Sequence, residues 1–204
     1  MTGPLRDLWE WLGAWDDHVP EQFQGDPPDE TPLHFAAAVG LLDSEGPPTL
    51  LAHVNFADAD ALDRLARSSA SVVYCPRTHA FFGHPPHPFE QMLERGVNVC
   101  LGTDSRASSP DLNLLAEVRH VASTRPHLSP GQLWSMVTHR PAAALGLEDE
   151  VGQLATGLEA SMAAFSIQSS RDPLEAAIYA EPPAAVIVRG ELRSDAPPAA
   201  PRQP

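Results

Sequence analysis

The sequence predicts an α/β protein built around a parallel β-sheet. Three apolar segments, at 49–54, 71–75 and 97–102, are each followed by a helical pattern, so a strand–helix unit occurs three times in succession. The segments are apolar throughout and do not alternate with polar residues, which is typical of strands that helices cover on both faces. Loops after such strands lie at one end of the sheet, where α/β enzymes place their chemistry.

Helices are also predicted before the first strand–helix unit. The apolar residues of 5–15 recur at helical spacing, and residues 16–31 are rich in Pro, Asp and Gln and predict a loop. Thr31 and Pro32 then stand in the order of a helix N-cap and a first helical residue, which predicts a helix that ends near Asp43.

After the third unit the pattern changes. Residues 129–147 predict two short helices broken at Pro141, because a proline ring cannot continue the preceding helical turn. The runs VGQL, SMAAFSI and AAVIVRGELR are strand-like and separated by Gly, Pro and Asp, which predicts a small β appendage. Residues 195–204 are rich in Pro and Ala and predict a disordered tail.

Charge and composition exclude several classes of partner. Thirteen Lys and Arg residues oppose 27 Asp and Glu residues, and the net charge of −14 repels nucleic-acid phosphates and anionic membrane surfaces. No run approaches the roughly 20 apolar residues of a membrane span, and the N-terminus lacks a signal-peptide pattern, so a cytoplasmic protein is expected. Cys75 and Cys100 lie in apolar runs and predict buried structural thiols, and no C-x-x-C zinc signature occurs.

Two residues at strand ends are candidates for catalysis. Asp104 follows the third apolar segment and His53 ends the first, so both side chains are expected at the carboxyl edge of the sheet. Each has a structural alternative: Asp104 as the N-cap of the next helix, and His53 as a hydrogen-bonded structural residue. The presence of two such residues, both able to bind metals or move protons, favours the catalytic interpretation.

A histidine-rich loop is predicted after the middle strand. His79, His84 and His87 lie in the string CPRTHAFFGHPPHPF. Histidines four residues apart can bind a metal on a helix, but the prolines of this string exclude that helix, so a metal site formed by the loop alone is not favoured. We expect a histidine of the loop, with His79 best placed, to line a substrate pocket.

These segments together resemble the amidohydrolase superfamily, and within it the deaminase and chlorohydrolase group that includes adenosine-derivative and aminodeoxyfutalosine deaminases. LAHVNFADADAL is similar to the family's sixth barrel strand, SVVYCPRTHAFF to its seventh, and GVNVCLGTDSRASSPDL to its eighth. The resemblance implies the C-terminal part of a TIM-like (β/α)8 metallohydrolase barrel over 1–147, with three of its βα units. It also implies a remnant of a small β domain over 148–194.

The resemblance implies a metal centre. Asp104 would bind the metal and carry protons to and from the attacking water, and His53 would bind the metal or polarise the substrate. The implied cofactor is a divalent metal, zinc first and iron as the alternative, because an imidazole and a carboxylate suit both.

The implied substrate is a small molecule. His79 and Ser105 would contact it. Ser108 and Ser109 are further candidates, although they stand equally well as helix caps ahead of Pro110.

The function that the resemblance implies is hydrolysis of a carbon–nitrogen bond, in the form of deamination of a nucleoside or heterocyclic amine. The family's H-x-H pair and fifth-strand histidine have no counterpart in the sequence. The chain is therefore expected to be an N-terminally truncated form with an incomplete site. The expected partners are a missing N-terminal half or further copies of the chain in a homo-oligomer. Two alternatives stay open: a catalytically inactive half-barrel that acts through binding, and a chlorohydrolase of the same superfamily.

Overall fold

The structure is a computed structural model that describes residues 33, 36–37, 40–45, 48–168 and 172–193. By its internal contacts the chain divides into two units, Met1–Gly40 and Leu41–Pro204. In the first unit Leu33, Ala36 and Ala37 are helical, as the helix predicted from Pro32 requires. The helix predicted over 5–15, the loop over 16–31 and the tail over 195–204 lie outside the described residues.

The second unit begins with a parallel sheet. Its strands are β1 (Leu50–Ala52), β2 (Ser71–Tyr74) and β3 (Asn98–Leu101), in the order β1-β2-β3. Val72 of β2 lies between its partners Leu51 of β1 and Val99 of β3. The three predicted strands are therefore confirmed, and their carboxyl ends lie along one edge of the sheet.

Helices connect the strands and pack on the sheet. They are α1 (Ala59–Arg67), α2 (Pro76–Phe81), α3 (Phe89–Glu94) and α4 (Leu114–Thr124). Helix α1 begins where the Asp58 side chain accepts a hydrogen bond from the backbone N–H of Ala61 at 2.8 Å. Among the described helices none is long and apolar enough to cross a membrane. Apolar side chains of α1, α3, α4 and β3 are almost fully buried in the core: Leu62, Leu65, Phe89, Met92, Val99, Val118 and Val121.

The segment after β2 begins as a helix, where the sequence predicts a loop. Pro76 occupies the first turn of α2, and its missing N–H costs nothing there because the first N–H groups of a helix have no partner within it. The helix ends at Phe81, before the run of prolines. His79 therefore lies on a helix, and His84 and His87 lie in the irregular segment that follows.

Two helices follow α4 as predicted, but the break between them does not lie at Pro141. The helices are α5 (Pro130–Ser135) and α6 (His139–Ala144). Pro141 is the third residue of α6, so its missing N–H falls in the first turn, where no intrahelical hydrogen bond is lost. The predicted break at Pro141 was wrong for this reason, and the helices separate at 136–138 instead.

A second, antiparallel sheet lies in the region where the sequence predicts a small β appendage. Its strands are β4 (Met162–Ala164), β5 (Ala185–Val188) and β6 (Glu191–Arg193), in that order, and α7 (Pro173–Ile178) lies between β4 and β5. The predicted strand VGQL does not form. Gly152, at φ 94°, turns the backbone so close to α6 that a Cβ atom at this position would lie 2.7 Å from the Cβ of Ala142.

Helices that follow β3 hold α7 of the appendage in place. The guanidinium of Arg119 in α4 donates to the backbone carbonyl of Ile178 at 2.6 Å. Trp134 in α5 donates through Nε1 to the carbonyl of Leu174 at 2.9 Å. The domain boundary predicted between 147 and 148 falls between α6 and β4, and it stays a prediction.

Candidate active site

Two side chains meet at the carboxyl edge of the parallel sheet. His53 follows β1 directly, and Asp104 comes three residues after the end of β3. The Nε2 atom of His53 lies 3.8 Å from the Oδ2 atom of Asp104, and the two side chains are 41% and 28% exposed. The parallel register therefore brings together the two residues of the strand ends, within reach of a shared ion or water.

The backbone at both strand ends is left-handed. The φ angles are 69° at His53, 50° at Val54 and 57° at Asp104. Positive φ is uncommon for residues with a Cβ, and for a β-branched residue such as Val54 it is a genuine outlier. Such strain persists where the surrounding structure holds it, and it clusters at functional sites. The backbone N–H of His53 donates to the carbonyl of Val73 at 2.9 Å, which holds the turn against β2.

Neighbouring donors orient the Asp104 carboxylate. The N–H of Ser105 donates to Oδ1 at 2.7 Å, and the hydroxyl of Ser108 donates to Oδ2 at 3.3 Å. The next helix, α4, is capped by Asn113 and not by Asp104. The cap alternative for Asp104 is therefore wrong, and the same holds for Ser108 and Ser109 as caps of this helix.

His79, the predicted substrate contact, is a buried residue of α2. Its Nε2 atom has no hydrogen-bond partner within the described part of the chain. Burial, and after it the charge of the neighbouring His84, lowers the pKa of His79, so the imidazole is neutral at pH 7. The roles of His79 and of the exposed Ser105 in substrate contact stay predictions.

His87 supports the turn that carries His53. Its ring stacks on Tyr74 with a centroid separation of 4.1 Å, and its Nε2 atom lies 2.5 Å from the carbonyl oxygen of His53. Burial lowers the pKa of His87 to about 4, so the ring is neutral and has one N–H. Because a carbonyl oxygen can only accept, that N–H is on Nε2, and Nδ1 is left as a bare acceptor.

A comparison with known families decides which family the chain belongs to. Residues 15–193 match the model of the amidohydrolase family. The chain belongs to this family. It is 31% identical over 162 residues to a 5-methylthioadenosine/S-adenosylhomocysteine deaminase of Teredinibacter turnerae, covering 74% of this chain and 36% of that protein. A deaminase of the same description from Moorella thermoacetica is 34% identical over 139 residues, covering 65% of this chain and 32% of that protein.

The amidohydrolase chain spans about a third of the length of these curated relatives. Solved structures of similar fold include an adenosine deaminase from Xanthomonas campestris with bound zinc, with a TM-score of 0.75 and 21% identity over 92% of this chain and 47% of that one. Another is the atrazine chlorohydrolase of Arthrobacter aurescens in complex with zinc, with a TM-score of 0.71 and 24% identity over 80% and 39% of the two chains. The α/β class and the family resemblance are therefore confirmed.

The described residues of this amidohydrolase supply two candidate metal ligands. Zinc binds imidazole nitrogen and carboxylate oxygen at about 2.0–2.2 Å, so two ligands of a tetrahedral ion lie about 3.4 Å apart. The 3.8 Å between His53 Nε2 and Asp104 Oδ2 is close to that separation. In the described ranges no group of three or more His, Cys, Asp or Glu side chains converges on one point. The pair therefore fits zinc but does not complete the three protein ligands usual for a catalytic ion.

A buried ion pair behind the site was missed by sequence reasoning. Arg77 in α2 donates through Nε to Oε1 of Glu117 at 2.7 Å and through its backbone N–H to Oε2 at 2.9 Å. Glu117, in α4, is 0% exposed. The Nη2 atom of the Arg77 guanidinium donates to Oδ1 of Asp111 at 2.6 Å, and this hydrogen bond lowers the pKa of the Asp111 carboxyl. The available signal was an acidic residue four positions before Val121, on the buried face of an amphipathic helix.

Proposed function

We propose that this chain carries part of the active site of a metal-dependent hydrolase that deaminates a nucleoside or another heterocyclic amine. The observation that carries the proposal is the 3.8 Å approach of His53 Nε2 to Asp104 Oδ2 at the carboxyl edge of a parallel sheet. Family membership supports hydrolysis, and the names of the relatives support an aminopurine nucleoside as the substrate. The proposal includes the finer fold, in which three βα units belong to a (β/α)8 barrel and a small β domain follows.

Asp104 is suited to move protons in this reaction. Zinc held there, with iron as the alternative, would lower the pKa of bound water to about 7 and so would supply a nucleophile at neutral pH. The Asp104 carboxylate accepts the proton of the attacking water and returns it to the departing ammonia. The donors Ser105 and Ser108 hold its two oxygens, so the proton acceptor is oriented before the reaction starts.

The histidines have separate roles in the proposal. His53 would hold the metal together with Asp104, or would polarise the substrate. His79 presents its buried Nε2 atom to a polar group of the substrate, which would supply the partner that this nitrogen lacks among the described residues. Ser105 contacts the substrate from its exposed position beside Asp104.

Zinc binding by the chain tests the metal pair. Asp104→Ala and His53→Ala are each expected to weaken binding by about tenfold or more, because each removes one ligand. The control variants Asp149→Ala and His127→Ala remove an exposed carboxylate and an exposed imidazole elsewhere, and they should bind zinc as the unchanged chain does. The measurement is competition with a chromophoric chelator at pH 7. Wild-type affinity in Asp104→Ala would exclude this carboxylate as a ligand.

Turnover is tested by expressing the chain together with the part of the Moorella thermoacetica deaminase that lies outside the match. We expect ammonia release from 5-methylthioadenosine or S-adenosylhomocysteine. Asp104→Asn should lower the rate by about 10²- to 10⁴-fold, because an amide cannot accept the proton, whereas Asp149→Asn should not. An unchanged rate in Asp104→Asn would overturn the proposal.

The chain expressed together with the Moorella thermoacetica segment also distinguishes the two alternative functions. A chlorohydrolase differs only in the leaving group, so chloride release from a chlorinated triazine without ammonia release from nucleosides would favour it. The absence of a third converging ligand among the described residues favours a binding domain without activity. A chain that neither holds zinc nor contributes to turnover would support that second alternative.

A further inference from the structure

Two hydroxyl groups connect the Asp104 carboxylate to helix α2. The Oγ atom of Ser108 lies 3.3 Å from Oδ2 of Asp104 and 2.9 Å from Oγ1 of Thr78. Thr78 is 4% exposed and Ser108 is 7% exposed, so water competes little for either hydroxyl. The three groups therefore form a continuous polar path from the carboxyl edge of the sheet into the protein.

The hydrogen bonds along this path are donated in one direction, from Thr78 to Ser108 and from Ser108 to Asp104. A serine hydroxyl has a single hydrogen, and Ser108 has two neighbours that could accept it. The Asp104 carboxylate is the stronger acceptor, so Ser108 donates to Asp104 and accepts from Thr78. Donation by Thr78 polarises the Ser108 hydroxyl and strengthens its bond to the carboxylate.

The far end of the path is held by the buried ion pair. Thr78 follows Arg77, whose backbone N–H and side chain both donate to Glu117 in α4. The first turn of α2 cannot move relative to α4 without separating these buried charges, which is costly. At the near end, the oxygen of Asp104 that accepts from Ser108 is the one 3.8 Å from His53 Nε2.

We propose that Thr78 and Ser108 are positioning residues that orient the Asp104 carboxylate toward His53, with Thr78 acting only through Ser108. The role of this orientation in metal binding rests on the proposed function. The hydrogen bonds that produce the orientation do not depend on it. Hydrogen bonds to a metal-ligating side chain fix its direction, and their loss typically costs about 10- to 100-fold in metal affinity.

The first measurement uses the chain without metal: the ¹³C chemical shift of the Asp104 side-chain carboxylate at pH 7. Thr78→Val removes the hydroxyl and preserves the shape of the side chain, so it should move this resonance in the same direction as Ser108→Ala, by a smaller amount. Thr78→Ser restores the hydroxyl and should return the wild-type value. Ser109→Ala is the control, because Ser109 is adjacent and buried but its hydroxyl donates to the Asp111 carbonyl and, at 3.4 Å, to Glu117 instead of to Asp104. Glu117 keeps both of its hydrogen bonds from Arg77 in this variant.

The second measurement is zinc affinity by chelator competition. We expect a loss of about tenfold for Ser108→Ala and roughly threefold for Thr78→Val, and no more than about twofold for Thr78→Ser and Ser109→Ala. The double variant Thr78→Val/Ser108→Ala should bind zinc as weakly as Ser108→Ala alone, because the two changes break one path.

The outcomes separate this inference from the proposed function. If Thr78→Val leaves the Asp104 resonance where Ser109→Ala leaves it, or if the double variant loses affinity by the product of the single losses, the positioning role is wrong. If the resonance responds as expected and the unchanged chain does not hold zinc, the proposed function fails and the positioning role stands. Should Ser108→Ala fail to fold by circular dichroism, the comparison of Thr78→Val with Thr78→Ser decides the matter.

Discussion

Gly102 joins β3 to the turn that carries Asp104. Its N–H donates to the carbonyl of Tyr74 at 2.9 Å, which draws the backbone toward the end of β2. A Cβ atom at this position would lie 2.7 Å from Cγ1 of Val73 and 3.3 Å from Sγ of Cys75. The approach of the two strand ends therefore requires a residue without a side chain.

We predict that Gly102→Ala lowers the free energy of unfolding by about 1–3 kcal/mol, because the added methyl group overpacks the contact between β2 and β3. Gly131→Ala in α5 is the matched control. A Cβ atom there meets nothing within 4 Å, and alanine should stabilise this helix by about 0.5–1 kcal/mol relative to glycine. Urea denaturation measures both variants. A Gly102→Ala variant as stable as the unchanged chain would show that the ends of β2 and β3 are not in close contact.

The positions of His53 and Asp104 could be predicted residue by residue, but their backbone conformations could not. A polar residue after an apolar strand is visible in the sequence, and the parallel sheet then places both at one edge. Left-handed φ has no such signal, because His and Asp adopt it in only a minority of positions and a β-branched residue such as Val54 strongly disfavours it. Contacts from β2 and from His87 impose it.

At the scale of secondary-structure elements, the Arg77–Glu117 pair joins α2 to α4. Arg77 is 14% exposed and Glu117 is 0% exposed, so both charges are largely removed from water. The carboxylate keeps the backbone N–H of Arg77 as a second donor, and Ser109 donates to it at 3.4 Å. A buried pair with this many hydrogen bonds is costly to break from one side.

Arg77→Met is predicted to lower the free energy of unfolding by about 3–5 kcal/mol, because it leaves the Glu117 carboxylate buried without a cation. Arg95→Met makes the same change at an exposed pair, Arg95–Asp63, with exposures of 32% and 56%, and should cost less than about 1 kcal/mol.

A variant that combines Arg77→Met with Glu117→Met should recover part of the loss, since both buried charges are then removed. Chemical denaturation at pH 7 measures the whole series. Similar losses for Arg77→Met and Arg95→Met would mean that the Arg77–Glu117 pair is far better solvated than its burial indicates.

The positions of prolines explain where the predicted helices and the observed ones differ. Pro76 and Pro141 both lie in the first turn of a helix, where a proline removes no intrahelical hydrogen bond. Sequence reasoning treated Pro141 as a break because the residues before it also had a helical pattern. A proline between two helical patterns can end the first helix or begin the second, and the packing of each helix decides between these positions. The sequence alone therefore does not place Pro141.

At the scale of the whole molecule, the two cysteine thiols show how well the core excludes water and reagents. Cys75 and Cys100 are free and buried, at 5% and 2% exposure, which confirms the prediction of buried thiols. Burial raises the pKa of each thiol from 9.0 to about 11. Because the thiolate is the reactive form, both groups should be inert in the folded protein.

We predict that a chromogenic disulfide reagent reacts at pH 8 about 100-fold or more slowly with the folded chain than with the chain unfolded in urea. Raising the pKa from 9.0 to about 11 lowers the thiolate fraction at pH 8 by about that factor, and burial further limits access. The rate in the folded chain should rise as the pH increases from 8 toward 10. Cys75→Ala and Cys100→Ala each leave a single thiol, and rapid reaction of either at pH 8 would contradict the burial described here.

By itself, the sequence determined the α/β class, the three strand–helix units and the strand-end positions of His53 and Asp104. These follow from apolar periodicity and from turn residues, which act over a few neighbouring positions. Only the tertiary structure decided that Arg77 pairs with Glu117, 40 residues away, and that the hydroxyl of Thr78 meets Ser108, 30 residues away. The packing of α2 beside α4 determines these partners. A polar side chain needs a specific hydrogen-bond partner only once packing has removed both groups from water, so the local sequence does not predict which distant residue that partner is.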